Sequence, residues 1–264
     1  MNIVKRELRA NLKPMLIWAL SIAFLVIVWM VEYKSFADNP AINEFMDALP
    51  QTLLSVLGMQ DFTLTNLNGF IGSISLYLYL LLGVQAVLLG SFIISKEESD
   101  KTGEYLFSLP ITRERVIVAK IIAATINLLF INIIALFAML TVTMNYDKAA
   151  NFYSFISLTF LALFIVQMIF LSVGMFVASV NKRHKKSGNI SVSILMATFL
   201  IASLINMVDK LDFLKFFTPF KYFETAYIQK HMSLEPVFII ISIVIIIIGI
   251  SSTLIYYPKR DLYI

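Results

Sequence analysis

The sequence predicts an all-α, polytopic membrane protein with six transmembrane helices, and three observations point to it. Of the 264 residues, 59% are hydrophobic and only 14% are charged, and the mean hydropathy is +0.84. Six stretches approach or exceed the roughly 20 apolar residues that one helical crossing needs. These runs are continuously apolar rather than alternating, which disfavours the roughly 10-residue strands of a membrane barrel. We therefore expect one transmembrane domain over residues 1–264, without disulfides because cysteine is absent.

The predicted spans follow directly from these apolar stretches. They cover residues 15–31, 70–94, 116–144, 152–180, 189–208 and 236–257. Lys120 is the one charged residue within them, and we expect its long side chain to snorkel to the membrane surface. A cleavable signal peptide is the alternative for the first stretch. It is disfavoured because the apolar run is long for such a segment and Glu32 and Lys34 precede the candidate cleavage site.

The distribution of lysine and arginine predicts the orientation. Fifteen of the 21 basic residues fall in four segments that the six spans place on one side. Those segments are residues 1–14, 95–120, 181–188 and 258–264. By the positive-inside rule this side is cytoplasmic, so both termini are expected in the cytoplasm.

Residues 1–14 are predicted to form an interfacial helix along the membrane surface. At helical spacing one face carries Met1, Val4, Leu8, Leu12 and Met15. The other side carries Lys5, Arg6, Arg9 and Lys13. Such a helix lies in the headgroup layer with its cations toward anionic lipid, and Pro14 marks the predicted turn into the first span. The alternative is a basic topogenic start with no further role.

The first outer loop, residues 32–69, carries five carboxylates and one lysine. Apolar residues at helical spacing on both sides of Pro50 predict a helix that bends or restarts there. We interpret this loop as a helix packed on the outer surface of the bundle. The alternative is an acidic mouth that attracts cations.

The last outer segment, residues 209–235, is rich in aromatic residues and is predicted to form short re-entrant helices in the outer leaflet. Phe213, Phe216, Phe217 and Phe220 have the spacing of one helical stripe, which Pro219 interrupts. An anchoring aromatic belt is one interpretation. The functional alternative is a lid over an exit path, with Phe216, Phe217 and Phe220 as the outer gate.

The sequence carries no recognisable catalytic or metal site. It has no phosphate-binding G-x-x-x-x-G-K-[ST] loop, and its two histidines, His184 and His231, fall in segments predicted on opposite sides. The predicted spans contain no Asp, Glu, His or Arg, which proton relays and ion-coupled carriers usually need within the membrane. We therefore expect a chain that is not itself an enzyme.

Neutral polar and small residues remain as features within the spans. Gln85, Asn127, Asn132 and Gln167 are expected to hydrogen-bond between helices. The alternative is that they line a path for an amphipathic substrate. Among the small residues, Gly83 with Gly90 and Gly174 with Ala178 share helix faces and are candidates for close contacts, either within the bundle or in a dimer.

The loop over residues 95–120 carries the functional argument. Its start is dense in charge, Thr102 is a good N-cap residue with Glu104 in the first turn, and a short apolar helix then ends at Pro110. Thr112 can cap the helix that follows. A short apolar helix on the cytoplasmic side has no core of its own and needs a partner to cover it.

This loop resembles that of ABC-2 type ABC transporter permeases, with acidic residues, Thr-x-Glu, a Leu-rich turn, Leu-Pro and Thr-Arg. The matching residues are Glu97, Glu98, Thr102, Glu104, Leu106, Leu109, Pro110, Thr112, Arg113 and Lys120. Residues 218–223, Thr-Pro-Phe-Lys-Tyr-Phe, are similar to the family's passage before the last span. Residues 257–262, Tyr-Pro-Lys-Arg-Asp-Leu, are similar to its closing Arg-Asp motif.

The resemblance implies a pair of permease chains, identical or related, working with two copies of a separate ABC ATPase that binds ATP and Mg. Residues 1–14 would be the connecting helix and 97–109 the coupling helix. The implied ATPase-coupling residues are Glu97, Glu98, Lys101, Thr102, Glu104, Tyr105, Leu106, Phe107, Leu109, Pro110 and Arg113. A second cytoplasmic contact would come from Lys182, Arg183 and Lys185. This chain itself is expected to bind no cofactor and no nucleic acid.

The resemblance also implies export across the cytoplasmic membrane of a bacterium. Members of similar size without an outer domain often move amphipathic peptides or drugs, and the substrate path would run between two permease chains. Two other interpretations stay open from the residues alone. One is a channel or secondary carrier, and the other is a membrane sensor or immunity subunit that transports nothing.

Overall fold

The computed structural model describes residues 3–37, 39, 41–99, 112–181 and 184–259 and is 87% helical. Over these ranges it contains no strand, and six of the helices are long and apolar enough to cross a membrane. The all-α, polytopic prediction is confirmed. The α-helices are α1 Ile3–Ala10, α2 Leu12–Ala37, α3 Ala41–Ala48, α4 Gln51–Leu57, α5 Leu67–Ser99, α6 Arg113–Val142, α7 Phe152–Val180, α8 His184–Met207, α9 Thr225–His231 and α10 Pro236–Lys259. Short 3-10 helices cover Thr143–Asn145, Asp209–Phe217 and Pro219–Lys221.

The six long helices α2, α5, α6, α7, α8 and α10 alternate in direction through the bundle. One end, which we call the charged end, holds α1, the start of α2, the last turns of α5 and the first turns of α6. The opposite end, the aromatic end, holds α3, α4, α9 and the two 3-10 helices of residues 209–221. Contacts within each end support this division: Arg113 donates to the carbonyl of Pro258 (2.9 Å) at the first, and Asn206 donates to the carbonyl of Ser55 (3.2 Å) at the second.

The central contact of the bundle is between α5 and α7, and glycines bring the two backbones together. A Cβ on Gly90 would lie 2.3 Å from the carbonyl oxygen of Leu171, and one on Gly174 would lie 2.2 Å from that of Val87. Neither position therefore admits a side chain. Gly83 is less constrained, because a Cβ there would lie 3.2 Å from side-chain carbons of Phe170 and Leu195. These glycines make contacts within one chain. Of the two roles that the sequence left open, contacts within the bundle or contacts in a dimer, the structure therefore selects the first.

The junction of α1 and α2 lies three residues earlier than predicted. α1 ends at Ala10 and α2 begins at Leu12, so Pro14 lies in the first turn of α2 rather than at the turn between the helices. Proline is tolerated there because the first amides of a helix have no intrahelical acceptor. The backbone hydrogen bond from Met15 to Asn11 (3.0 Å) carries the chain through the junction.

α5 is longer than the predicted span 70–94. It runs through Glu97 and Glu98 to Ser99, because the residues after Ile94 favour helix and no Gly or Pro stops it. The expectation that no span carries an acidic residue holds for the predicted apolar runs but not for the longer helices, since α2 includes Glu32, α5 includes Glu97 and Glu98, and α6 includes Glu114. Glu97 lies in the last turns of α5.

Pro50 separates α3 from α4, as its position in the sequence predicts. α4 ends at Leu57 and is capped by Gly58, whose φ of +68° is the left-handed conformation of a helix C-cap. The aromatic segment folds differently from the predicted helical stripe, because Asp209–Phe217 forms a 3-10 helix and a separate turn starts at Pro219.

Candidate functional site

A cluster of five charged side chains joins α1, α5 and α6 at the charged end. Its members are Arg6, Glu7, Lys96, Glu97 and Lys120. Glu7, Glu97 and Lys120 have no measurable solvent exposure in the protein. Because three helices contribute to it, the cluster connects the N-terminal segment directly to both helices that flank residues 100–111.

Lys120 and Glu97 form the closest ion pair of this cluster. The Lys120 Nζ lies 2.5 Å from Glu97 Oε2 and also donates to the carbonyl oxygen of Ile93. A buried lysine that keeps its charge needs such partners, since an unpaired ammonium in an apolar interior is costly. The predicted snorkelling of Lys120 is therefore wrong: once α5 continues past Ile94, Glu97 gives the ammonium a partner inside the bundle.

Longer ion pairs connect α1 to this pair. Arg6 lies 3.7 Å from carboxylate oxygens of both Glu7 and Glu97, and Lys96 lies 3.7 Å from Glu7. Neither carboxylate oxygen of Glu7 accepts a hydrogen bond from a residue that the structure describes. Glu7 is thus held by ion pairs rather than by close hydrogen bonds.

The predicted ATPase-coupling residues divide into two groups. Glu97 and Glu98 are buried in the last turns of α5, and Arg113 begins α6, where Thr112 accepts a hydrogen bond from the backbone amide of Arg115. The remaining predicted residues lie outside the described residues. They are Lys101, Thr102, Glu104, Tyr105, Leu106, Phe107, Leu109 and Pro110.

The predicted second contact lies at the junction of α7 and α8. Lys182 and Arg183 fall outside the described residues, and Lys185 lies in the first turn of α8. α8 begins at His184, so the connection after Asn181 is shorter than the predicted loop 181–188.

The four amide residues predicted for a substrate path form two separate pairs. Asn132 donates to Gln167 across α6 and α7 (2.6 Å), a direct contact inside the bundle. Gln85 donates a long hydrogen bond to Asn127 (3.4 Å), and both residues line a groove of about 270 Å³ beside the start of α2. The Gln85 Oε1 is buried and accepts no hydrogen bond within the described part of the chain.

The groove that holds Gln85 and Asn127 has apolar walls, which we call the amide groove. Its other lining residues are Asn11, Pro14, Met15, Trp18, Leu88, Leu89 and Phe92. Phe92 is 59% exposed on the outer face of α5. The amide groove is therefore a mainly apolar cleft with a small number of buried polar atoms, as small-molecule binding sites usually are.

The three predicted outer-gate residues do not act as one stripe. Phe216 and Phe217 are 47% and 69% exposed, whereas Phe220 is only 2% exposed. The Phe220 ring packs against Phe170 and Phe199, with centroids 5.3 and 5.4 Å away. The turn at Pro219 separates Phe220 from the other two and directs it into the bundle.

Hydrogen bonds and ring contacts hold the aromatic end together. Tyr222 stacks on Phe238 (centroids 5.0 Å apart) and donates to the carbonyl of Phe216 (2.6 Å). Partial burial raises the pKa of Tyr222 above its ordinary value. Thr225 donates to the carbonyl of Gly72 on α5 (2.9 Å), which fastens α9 to the core.

Six membrane-capable helices in the described ranges, with charged and aromatic ends, define a polytopic membrane protein. The family model for ABC-2 family transporter proteins matches residues 1–262, nearly the whole chain. The chain therefore belongs to the ABC-2 transporter family, as its sequence motifs indicate, and is a membrane-spanning transport component. Among curated proteins, none matches this chain.

Sequence reasoning missed the charged cluster. Arg6 was expected to face the anionic lipid headgroups, and Lys120 was expected at the membrane surface. Glu7 was given no role. The signal was present, because a lone lysine inside an apolar helix calls for a carboxylate nearby. Glu97 can pair with Lys120 only because α5 continues one turn beyond its apolar run.

Proposed function

We propose that this chain is the permease subunit of an ATP-driven exporter that moves an amphipathic substrate across the cytoplasmic membrane of a bacterium. It works as a pair of permease chains with two copies of a separate ABC ATPase, which binds ATP and Mg. Membership of the ABC-2 family supports the transport role and implies an ABC ATPase partner. The positive-inside distribution supports cytoplasmic termini.

The charged cluster is the observation that carries this proposal. It ties α1 to the end of α5 and the start of α6, the two helices that flank residues 100–111. A movement imposed on that segment by an ATPase would therefore reach three helices at once. Buried ion pairs suit this role because they hold a defined arrangement and can exchange partners when the helices shift.

The amide groove supports an amphipathic substrate. Its walls are apolar, and Gln85 offers a buried acceptor that no described residue uses. A molecule with an apolar body and one hydrogen-bond donor would satisfy that atom without burying a charge. The buried charges lie near the end of the bundle instead, so they are poorly placed to bind a small ion halfway across the membrane.

Reconstitution tests the proposal directly. The chain is co-purified with a candidate ABC ATPase that carries Walker motifs, placed in vesicles, and assayed for ATP-dependent movement of a fluorescent amphipathic peptide. We expect transport with ATP and none with a non-hydrolysable analogue. Movement without ATP would identify a channel or secondary carrier. ATP hydrolysis with no movement of any amphipathic probe would identify a sensor or immunity subunit.

Phe107→Asp tests the coupling segment in the same vesicles. A charge on the predicted apolar face of this segment should abolish stimulation of the ATPase while the chain still inserts. Phe45→Asp is the matched control, because Phe45 is an exposed phenylalanine on α3 at the opposite end. Unaltered ATPase stimulation in Phe107→Asp would show that residues 97–109 do not dock the motor.

A further inference from the structure

A second groove lies at the charged end, between the first turns of α6 and the last turns of α10. Its volume is about 480 Å³, and its lining residues are Glu114, Val118, Leu254, Ile255, Pro258 and Lys259. The side chain of Arg113 donates to the carbonyl of Pro258 (2.9 Å), which ties the two helix ends together beside the groove. The groove, which we call the α6–α10 groove, is therefore bounded by two helix ends that a hydrogen bond joins.

Two opposite charges line this groove without neutralising each other. Glu114 and Lys259 are both exposed, and neither forms an ion pair with a residue that the structure describes. Each charge suits its place, since Glu114 lies in the first turn of α6 and Lys259 in the last turn of α10. That effect leaves the hydrogen-bonding capacity of both side chains unused. The groove therefore offers one anionic and one cationic partner to a ligand.

Pro258 adds a backbone acceptor beside these charges. Proline has no amide hydrogen, so the carbonyl of Leu254, four residues earlier in α10, lacks its helical donor. A helical carbonyl points toward the residue four positions later, and both Leu254 and Pro258 line the groove. This carbonyl can therefore accept a hydrogen bond from a bound ligand. A primary ammonium group can donate that bond, whereas a quaternary ammonium group has no hydrogen to donate.

The apolar part of the groove continues from the charged residues toward the middle of the bundle. Val118 and Ile255 are 45% and 53% exposed, and each lies one helical turn from a charged residue, Glu114 and Lys259 respectively. Both belong to membrane-capable helices, so this surface faces the region that hydrocarbon chains would occupy. Charged groups at the helix ends and apolar residues further in have the same order as the parts of a zwitterionic phospholipid.

We propose that the α6–α10 groove binds one molecule of phosphatidylethanolamine. Its primary ammonium donates to Glu114 and to the carbonyl of Leu254, and its phosphate pairs with Lys259. One acyl chain lies along Val118 and Ile255. The bound lipid bridges α6 and α10, and it covers part of a helix that packs little of its surface against the described part of the chain. The site goes beyond the proposed export function and does not depend on it.

Native mass spectrometry of the purified full-length chain in detergent tests the site. The protein is titrated separately with phosphatidylethanolamine, phosphatidylcholine and phosphatidylglycerol that carry the same acyl chains. We expect preferential retention of one phosphatidylethanolamine, because choline has no N–H donor and phosphatidylglycerol has no cation for Glu114. Glu114→Gln and Lys259→Gln should each weaken this retention about fivefold. The matched controls are Glu44→Gln and Lys186→Gln, which each remove one exposed charge outside the groove.

Pro258→Ala tests the backbone acceptor without changing a charge. Alanine supplies the missing amide hydrogen to the carbonyl of Leu254, so the preference for phosphatidylethanolamine over phosphatidylcholine should fall about fivefold in a helix that still forms. Free phosphoethanolamine at equal concentration should not displace the lipid, because it has no acyl chain.

Four results would each overturn the proposal. They are retention of phosphatidylcholine or phosphatidylglycerol equal to or above that of phosphatidylethanolamine, displacement by phosphoethanolamine, an unchanged affinity in Glu114→Gln or Lys259→Gln, and an unchanged lipid preference in Pro258→Ala.

Discussion

At the charged end, α1, α5 and α6 meet through buried ion pairs, whereas at the aromatic end the connecting segments meet through stacked rings and hydrogen bonds to backbone carbonyls. Lys120 and Glu97 represent the first arrangement, and Phe220 and Tyr222 represent the second. Ion pairs depend strongly on having both partners, because the loss of one leaves a buried charge. Ring packing depends on volume, and its loss is softened wherever neighbours can relax. The two ends should therefore respond differently to substitution.

The largest effect is expected from breaking the closest ion pair. Lys120→Met leaves Glu97 buried without its 2.5 Å partner, and the free energy of unfolding should fall by about 3–5 kcal/mol. The double variant Glu97→Gln/Lys120→Met should recover most of that loss, because it removes both charges. Reversible unfolding in mixed micelles measures the free energy of unfolding of both variants. Lys186→Met is the control, because Lys186 is exposed. If the double variant is no more stable than the single one, the two side chains are not energetically coupled.

A slightly smaller effect is expected at the aromatic end. Phe220→Ala removes a ring that packs between Phe170 and Phe199 and should lower the free energy of unfolding by about 3 kcal/mol. This is the lower part of the usual range, because Phe220 also lines a cavity of about 60 Å³ into which neighbours can relax. Phe217→Ala is the matched control, since Phe217 is exposed. Equal losses in the two variants would mean that burial does not distinguish them.

The smallest effect is expected from removing one hydroxyl. Tyr222→Phe keeps the ring stacked on Phe238 but removes the hydrogen bond to Phe216, at a cost of about 0.5–1.5 kcal/mol. The pKa of Tyr222 is raised by burial, so the unfolded chain ionises first as pH increases. The stabilisation that the protonated Tyr222 contributes to the folded state is complete below the ordinary tyrosine pKa near 10, and it is lost as the pH rises above that value. Unfolding measured from pH 8 to 11 should show a steeper decline in the parent chain than in Tyr222→Phe.

Several features of the fold could be predicted from single residues and their spacing. Pro50 separates two helices because it lacks an amide hydrogen and clashes with a preceding turn. Thr112 caps α6 because its hydroxyl accepts from an amide that has no helical partner. Gly174 was a candidate for close packing because it lacks a side chain. In each case the cause lies within a few residues of the chain.

The errors have the opposite origin. Lys120 was expected at the surface because its long side chain can snorkel there, yet Glu97 meets it across two helices. Phe220 shared a helical spacing with Phe216 and Phe217, but a 3-10 helix and Pro219 place it on a different side. The four span amides looked equivalent in the sequence. Only the packing of α5, α6 and α7 separated an internal pair from a groove-lining pair.

The amino-acid sequence by itself determined that this chain crosses a membrane six times as helices, because continuous apolar runs of sufficient length have few other stable solutions in lipid. It also determined the family, through the motif around residues 97–113. The tertiary structure decided which charges meet and which buried polar atoms have no hydrogen-bond partner among the described residues. Those outcomes depend on the lengths and rotations of the helices. These bring Glu7, Glu97 and Lys120 together although the three residues are up to 113 positions apart in the sequence. The spacing of residues within one helix does not indicate such distant pairings.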